Sequence, residues 1–380
     1  MKICLIGPTY PFRGGISHYT TLLYRCLQKR HQVRFLAFSR QYPRWLFPGK
    51  TDKDQSQAHI QAEGAQRVLD SFNPASWLRV GLLASRMKPD LVVIPWWVSF
   101  WTPQFLTIAR VVKALGKARI LFICHNVVEH ESKRLDRVLT RTVLKNGDFF
   151  IVHSEEDRDN LLEIVPHARV RKTFHPTYDI FNSSDGDLTE FKKTLGLDGN
   201  TLLFFGFVRE YKGLKYLLEA VPEILSRVPV KLLVVGEFWK DRGAYSRIVD
   251  ELGIGPHITF IDEYVPNEDV GKYFRAADLV VQPYTSATGS GIIQIAFGFN
   301  KPVVATRVGC LPEVIEDGKT GYLVAPRSSS ELASVVIRFF EEKRAEEFSE
   351  NIKRINYKFS WDRLVDVAES FLREPPVSQS

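Results

Sequence analysis

Two cations, Arg209 and Lys212, stand between an apolar run ending at Gly206 and a helical stretch that opens after Gly213. A strand ending there would carry both cations at its carboxyl end, beside the free amides of a helix N-terminus, a setting suited to a diphosphate. The same residues also read as an ordinary charged surface loop. A second block, Pro283-Tyr-Thr-Ser-Ala-Thr288-Gly289-Ser290-Gly291, closes another apolar run and opens an apolar helix that contains Gln294. Its small residues leave backbone amides open to a ligand. Near the N-terminus, Gly14 and Gly15 lie in the loop between the first strand and the first helix and allow the same kind of approach. A plain glycine-rich loop is the alternative there, and the pattern is not G-x-G-x-x-G, which counts against simple dinucleotide binding.

Further candidates sit at other strand ends. Ile123-Cys-His125-Asn126 puts a histidine just past an apolar run, where it can contact a ligand or serve the structure alone. His153-Ser154-Glu155 repeats the arrangement, with Ser154 suited to cap the following helix. Trp96-Trp97-Val-Ser-Phe100-Trp101 is a dense aromatic cluster. Tryptophans of this kind pack cores, and they also stack on sugars or hold a polyprenyl chain; Trp96, Trp97 and Trp101 are the candidates for an acceptor. Tyr42-Pro-Arg-Trp45-Leu-Phe47-Pro48 is a similar aromatic loop. Arg134, Arg137, Arg141 and Lys145 recur at helical spacing, giving either a solvated basic face or a contact for anionic lipid.

The elements that must position these residues alternate. Strand signals fall at 2–6, 33–38, 91–94, 119–124 and 149–152, with helical periodicity at 18–27, 76–87, 104–115 and 135–144 between them. Phe174 to Asp187 breaks the rhythm and reads as a linker. Strand signals then resume at 201–205, 230–235, 258–261, 279–282 and 302–305. Short apolar strands separated by helices imply parallel sheets covered on both faces. Two α/β halves follow, with ligands expected beyond the carboxyl ends of the strands, in a cleft.

Composition narrows the class. The chain has 380 residues, 44% hydrophobic and 25% charged, with a formal net charge of +7. That excess suits a diphosphate-bearing substrate or anionic lipid; nucleic acid is disfavoured, because no zinc-finger, helix-turn-helix or RNP pattern is present. Four scattered cysteines read as small buried hydrophobes of a reducing compartment. The apolar run at the N-terminus is too short for a signal segment. The stretch Leu91–Trp101, broken by Pro95, falls below the roughly 18 residues that span a bilayer. A cytoplasmic chain, possible at the inner face of the membrane as a peripheral protein, is the expectation. No D-x-D or clustered His/Asp motif asks for a metal.

The blocks 206–213 and 283–306, with Leu311-Pro-Glu313-Val and Glu316-Asp-Gly-Lys-Thr-Gly321 in this order, resemble the donor-binding domain of the family 4 retaining glycosyltransferases. The resemblance covers essentially the whole chain. It implies a GT-B architecture: two Rossmann-like domains facing across a cleft, an acceptor-binding domain at 1–176, a donor-binding domain at 187–360, and a closing helix at 361–374 that crosses back to the first. It implies metal-independent transfer of a sugar from a nucleotide-diphosphate sugar, as co-substrate rather than cofactor, to a glycan or lipid-linked acceptor of cell-envelope or exopolysaccharide synthesis. Lys212 matches the family lysine on the donor diphosphate, Arg209 stands nearest its arginine, Gly289, Ser290 and Gly291 match the loop whose backbone amides meet the phosphates, and Gly206 is a further donor-binding candidate. His125 looks like the histidine that contacts the donor sugar. The family's E-x7-E glutamates fall near Thr288 and Gln294, neither acidic, which leaves Glu313 as a further donor-binding candidate and the donor sugar open. A nucleotide-sugar epimerase of the same fold would need acids that these blocks lack. A catalytically silent sugar-nucleotide-binding protein would not need Arg209, Lys212 and His125.

Overall fold

The structure, a computed structural model, describes residues 1–42, 51–128, 134–183, 187–239 and 242–373. The chain divides into two compact units, one formed by Met1–Asp54, His59–Phe174 and the segment from Ser360, the other by Gln55–Ala58 and His175–Phe359. Trp45 and Phe47 of the aromatic loop, and the last residues from Pro375, lie outside the described residues.

In the first unit the strands are β1 (Lys2–Gly7), β2 (Gln32–Arg40), β3 (Gln66–Asp70), β4 (Leu91–Trp96), β5 (Arg119–Cys124), β6 (Phe149–Val152) and β7 (Val170–Lys172). They form one parallel sheet in the order β3-β2-β1-β4-β5-β6-β7. Ile3 to Gly7, Leu91 to Trp96 and Phe149 to Val152 are buried throughout, because helices cover both faces of the sheet. One face packs on the helices Pro74–Arg86, Thr102–Leu115 and Arg134–Leu144. The other packs on Gly15–Gln28 and the C-terminal helix Trp361–Arg373.

That last helix belongs to the first unit although it follows the second in sequence. Its spacing puts Leu364, Val365, Ala368 and Phe371 on one buried stripe. Burying each large apolar side chain contributes about 1.5–3 kcal/mol. Polar contacts set its register: Arg30 reaches Asp362 at 2.9 Å and Asp366 at 2.5 Å, and His31 meets Glu369 at 3.0 Å.

The second unit repeats the plan with β8 (Asn200–Phe205), β9 (Val230–Val235), β10 (Ile258–Ile261), β11 (Leu279–Gln282), β12 (Val303–Thr306) and β13 (Gly321–Val324), ordered β10-β9-β8-β11-β12-β13 and parallel. The segment read as a linker from sequence is tightly packed where described. Thr177, Tyr178 and Phe181 are buried, and the Thr177 amide donates to the Phe359 carbonyl at 3.0 Å.

Both strand orders change direction once, between β1 and β4 and between β8 and β11. Loops leaving the carboxyl ends of those two strands diverge there and leave a crevice. In the second unit these are the loop of Arg209 and Lys212 and the loop of Thr288 to Gly291. In the first they are the loop of Gly14 and Gly15 and the tryptophan-rich loop.

Candidate functional site

In the second unit the two motif loops are locked together. The Thr285 amide donates to the Tyr211 carbonyl at 2.7 Å. Gly213 has φ +69°, and a Cβ there would lie 1.9 Å from the Pro283 carbonyl oxygen. A side chain at 213 would therefore push the β8 loop off the β11 loop. This close approach places Lys212 Nζ 5.1 Å from the centre of the Tyr284 ring, and a Cβ on Gly206 would stand 3.1 Å from that same nitrogen.

Lys212 is buried, 8% exposed, and forms no ion pair among the described residues. Burial lowers its pKa from the usual lysine value, Arg209 adds a smaller push in the same direction, and Tyr211 opposes them. A buried cation without a carboxylate is costly, and an anionic ligand would relieve that cost. Arg209 lies on the same loop, half-buried, with its guanidinium carbon 3.8 Å from the centre of the Trp239 ring. Stacking there fixes the plane of its donor fork. Sequence reasoning missed Trp239 and Tyr284; a tryptophan after β9 carries no distinctive spacing.

The β11 loop supplies a helix N-terminus. Ser290 caps the helix Gly291–Gly298, accepting from the Ile293 amide at 3.4 Å, and lies 3.3 Å from the Tyr284 hydroxyl. Burial raises the Tyr284 pKa far above the phenol range, so the hydroxyl keeps its proton. Gly289 and Gly291 are exposed, while Thr288 is half-buried with its carbonyl accepting from the Cys310 amide at 3.3 Å. Gln294, in the same helix, is 2% exposed, and its Oε1 has no hydrogen-bond partner. That orphan acceptor is available to a hydroxyl. Glu313 is half-buried in the short helix Leu311–Val314, which follows the loop packed on Thr288.

In the first unit Gly14 and Gly15 are exposed at the start of the helix Gly15–Gln28, with no atom near where a Cβ would be. Packing does not demand glycine there. His125 follows β5 and its amide donates to the Trp96 carbonyl at 2.8 Å, which joins the β4 and β5 loops. Its ring is half-buried and meets Tyr19 edge-on at 4.3 Å, with His153 at 5.3 Å. His153 Nδ1 bonds the Thr173 carbonyl at 2.8 Å and its Nε2 lies 3.3 Å from the Tyr19 hydroxyl. Burial lowers the His153 pKa to about 4, which keeps it neutral at pH 7. Tyr19, which no motif singled out, thus joins the two histidines. Ser154 caps Glu155–Ile164 by accepting from the Asp157 amide at 3.0 Å, as its position after the strand suggests.

The tryptophan cluster requires a correction. Trp96 and Trp101 are 1% and 0% exposed and sit in the core with Phe38 and Phe105, so neither presents a face to an acceptor. Only Trp97 and Phe100 reach the surface in part. The physical reason is alternation: Trp96 ends β4 on the face packed against the helix Thr102–Leu115, and the turn Ser99–Trp101 brings Trp101 into the same core against Phe38 and Trp97. Among the described residues no cluster of three or more His, Cys, Asp or Glu could hold a metal ion, and no helix is long and apolar enough to cross a membrane.

A paired α/β plan with an uncompensated cation at a strand-end, helix-start junction is the arrangement of proteins that handle phosphorylated ligands. Comparison with known proteins gives the family. Residues 14–173 match the glycosyl transferase 4-like domain and residues 199–342 match glycosyl transferases group 1. D-inositol 3-phosphate glycosyltransferase of Corynebacterium jeikeium is 28% identical over 268 residues, which cover 65% of this chain and 62% of that protein. Its counterpart from Mycobacterium leprae strain TN is 29% identical over 236 residues, 59% of this chain and 54% of that one. The chain thus spans less than two thirds of the length of these curated relatives. Anabaena HepE, crystallised in complex with UDP, superposes with a TM-score of 0.75 at 18% identity, covering 98% of this chain and all of that one. Sucrose-phosphate synthase from Thermosynechococcus elongatus gives 0.72 at 16% identity, over 98% of this chain and 97% of the other. The chain belongs to the group 1, family 4 glycosyltransferases and shares the GT-B fold.

Proposed function

We propose that this protein transfers a sugar from a nucleoside diphosphate sugar to an acceptor, with retention of anomeric configuration and without a metal. The observation that carries the reading is Lys212: a buried lysine with no carboxylate partner among the described residues, held over Gly206 by two interlocked loops beside a helix N-terminus. Charge that develops on a departing diphosphate is stabilised best by donors already in place. Lys212, the stacked Arg209 and the amides of Gly289 to Gly291 would supply them. Gln294 would accept from a ribose hydroxyl, and Glu313 is the second candidate for that contact. Thr288 would face the donor sugar, and Gly206 would leave room for the phosphate. In the first unit, residues up to 176 with the helix from Trp361 would serve the acceptor, Gly14 and Gly15 would let ligand approach, and His125 would address the sugar. With Trp96 and Trp101 buried, acceptor stacking passes to Trp97. The acceptor would be a glycan or a lipid-linked intermediate of envelope or exopolysaccharide synthesis, handled at the cytoplasmic side.

Anabaena HepE was also solved with UDP-glucose, which makes uridine diphosphate sugars the first donors to try. Calorimetric titration with UDP-, GDP- and ADP-sugars tests the binding step, and proton NMR of the product's anomeric centre tests retention. Absence of binding to all three nucleotide classes, or an inverted product, would refute the proposal.

A further inference from the structure

The helices Pro74–Arg86, Thr102–Leu115 and Arg134–Leu144 form one layer on the first unit's sheet. Its outward face is unlike the rest of the molecule. Leu78, Leu82, Leu135 and Val138 on the helices, with Phe72 and Phe100 in adjoining loops, are 37–65% exposed. The second unit leaves only Tyr211, Leu252 and Tyr357 comparably exposed among its described residues. Scattered single apolar residues need no explanation, whereas a gathering on one layer does.

Charge on this layer is one-sided. Residues 71–117 contain six lysines and arginines against one acid, Asp90, and residues 134–145 contain four against Asp136. Asp90 accepts the Lys2 amide and Asp136 accepts the Ser99 hydroxyl, each at 2.8 Å. Two of the cations are neutralised, Lys113 by Asp148 and Arg137 by Glu163. Arg79, Arg86, Arg110, Arg134, Arg141 and Lys145 carry no ion pair among the described residues. A soluble face would intersperse acids with these cations; this one mixes unpaired cations with exposed leucines.

A cavity of about 580 Å³ opens at the strand-end edge of the layer, lined by Phe72, Trp77, Val98, Phe100 and Leu139. Two polar atoms in its lining residues, Gln104 Oε1 and Thr102 Oγ1, are buried and have no hydrogen-bond partner. An acceptor and a hydroxyl set among apolar walls match the junction between the glycerol and the chains of a lipid better than hydrocarbon alone.

We infer that this three-helix face docks on an anionic lipid bilayer, with cations on the headgroups, leucines and phenylalanines at the acyl boundary, and the cavity receiving one lipid. Unpaired cations choose an anionic surface over a zwitterionic one, and each adds to the attraction. The exposed apolar side chains convert that attraction into insertion. The inference does not depend on glycosyl transfer and gives a lipid-linked acceptor a reason to be met here.

Flotation of the full chain with vesicles separates the possibilities. Vesicles of phosphatidylcholine alone and of an equal mixture with phosphatidylglycerol would be compared, at low and high salt. Binding is expected to the anionic vesicles only, weakened by salt. Arg134→Glu with Arg141→Glu should reduce it by about tenfold or more, and Leu135→Ser with Val138→Ser by a similar factor. All four positions are exposed, so each double variant should fold, which its thermal melt will show. Titration of the same variants with UDP-glucose reports the donor site separately. Equal flotation with both vesicle types would overturn the inference. So would anionic binding that ignores the apolar variant, or self-association in sedimentation that the same variants abolish while vesicles are left unbound.

Discussion

Lys212→Met should move affinity and stability in opposite directions. Methionine keeps the length and apolar stem of lysine and removes only the charge. In the unliganded fold that charge is buried, is met by no carboxylate among the described residues, and has its pKa lowered chiefly by desolvation. Its removal should therefore raise the melting temperature by a few degrees, the size expected for about 1 kcal/mol in a unit of this length. For a diphosphate the sign reverses. A charge-assisted hydrogen bond to phosphate is worth about 1.5–3 kcal/mol, so UDP should bind about 10- to 150-fold more weakly. Transfer, where the lysine meets developing charge, should fall by roughly 10- to 1000-fold. Lys212→Arg should restore the charge but only part of the affinity, since a planar fork replaces a compact ammonium in a buried setting. The lysine also sets a pH dependence. Its folded pKa is below the unfolded value of 10.5, so the unfolded chain holds the proton longer and stability rises with pH through that interval. Nucleotide affinity should fall over the same interval, and both trends should vanish in Lys212→Met. Differential scanning fluorimetry and calorimetry on the two proteins measure everything needed. A variant that melts lower and binds UDP as before would mean that the lysine is a structural strut and the cation logic is wrong.

Other positions give sharper local tests. Gln294→Ala should weaken UDP and UDP-sugar alike by about 1–2 kcal/mol, the scale of a neutral hydrogen bond; unchanged calorimetric affinity would move the ribose contact to Glu313. EDTA should leave the transfer rate unaltered, and a loss restored by magnesium or manganese would require a metal. The His153 pKa moves from 6.5 to about 4 on burial, which at about 1.4 kcal/mol per unit sets an upper limit near 3 kcal/mol. Its unfolded form takes up a proton below pH 6.5 while the folded form does not, so stability should fall as pH drops from 6.5 toward 4. His153→Gln should flatten that fall in denaturant melts, and an unchanged acid slope would assign it to His18, whose pKa is lowered equally.

Strands with partners on both sides announced themselves: 119–124, 149–152, 230–235 and 279–282 were legible to the residue, and so was the apolar edge strand 258–261. The polar edge strands of the first unit were not. Gln66–Asp70 and Val170–Lys172 pair on one side only, so their composition, with Gln66, Arg67, Asp70, Arg171 and Lys172, is that of a loop. The place of Arg209 and Lys212, just past the carboxyl end of β8, was legible because an apolar run ends at Gly206. Their partners were not, since Trp239 and Tyr284 reach Arg209 and Lys212 only once β9 and β11 have paired with β8. The tryptophan cluster misled for a related reason: type and density say aromatic, while only the turn at Ser99 decides which rings face inward.

The neutral residues near the positions where the resemblance expects the family's two glutamates would then take on a physical meaning. In their place the β11 loop offers Thr288, a capped Ser290 and Gln294, all neutral, so no carboxylate from this loop offsets Lys212. A glutamate near a buried lysine would satisfy it in the empty site and would have to be displaced, or compensated, when a diphosphate arrives. Neutral neighbours leave the lysine's field undivided. The cost is a less stable empty fold, and the gain is a larger difference between the liganded and unliganded states. Sugar hydroxyls bound here would meet acceptors and donors of hydroxyl and amide type instead of carboxylates, which would weaken discrimination by charge-assisted bonds. On the proposed reading, the second unit would grip its donor by the phosphates and leave the choice of sugar to neutral hydrogen bonds and shape.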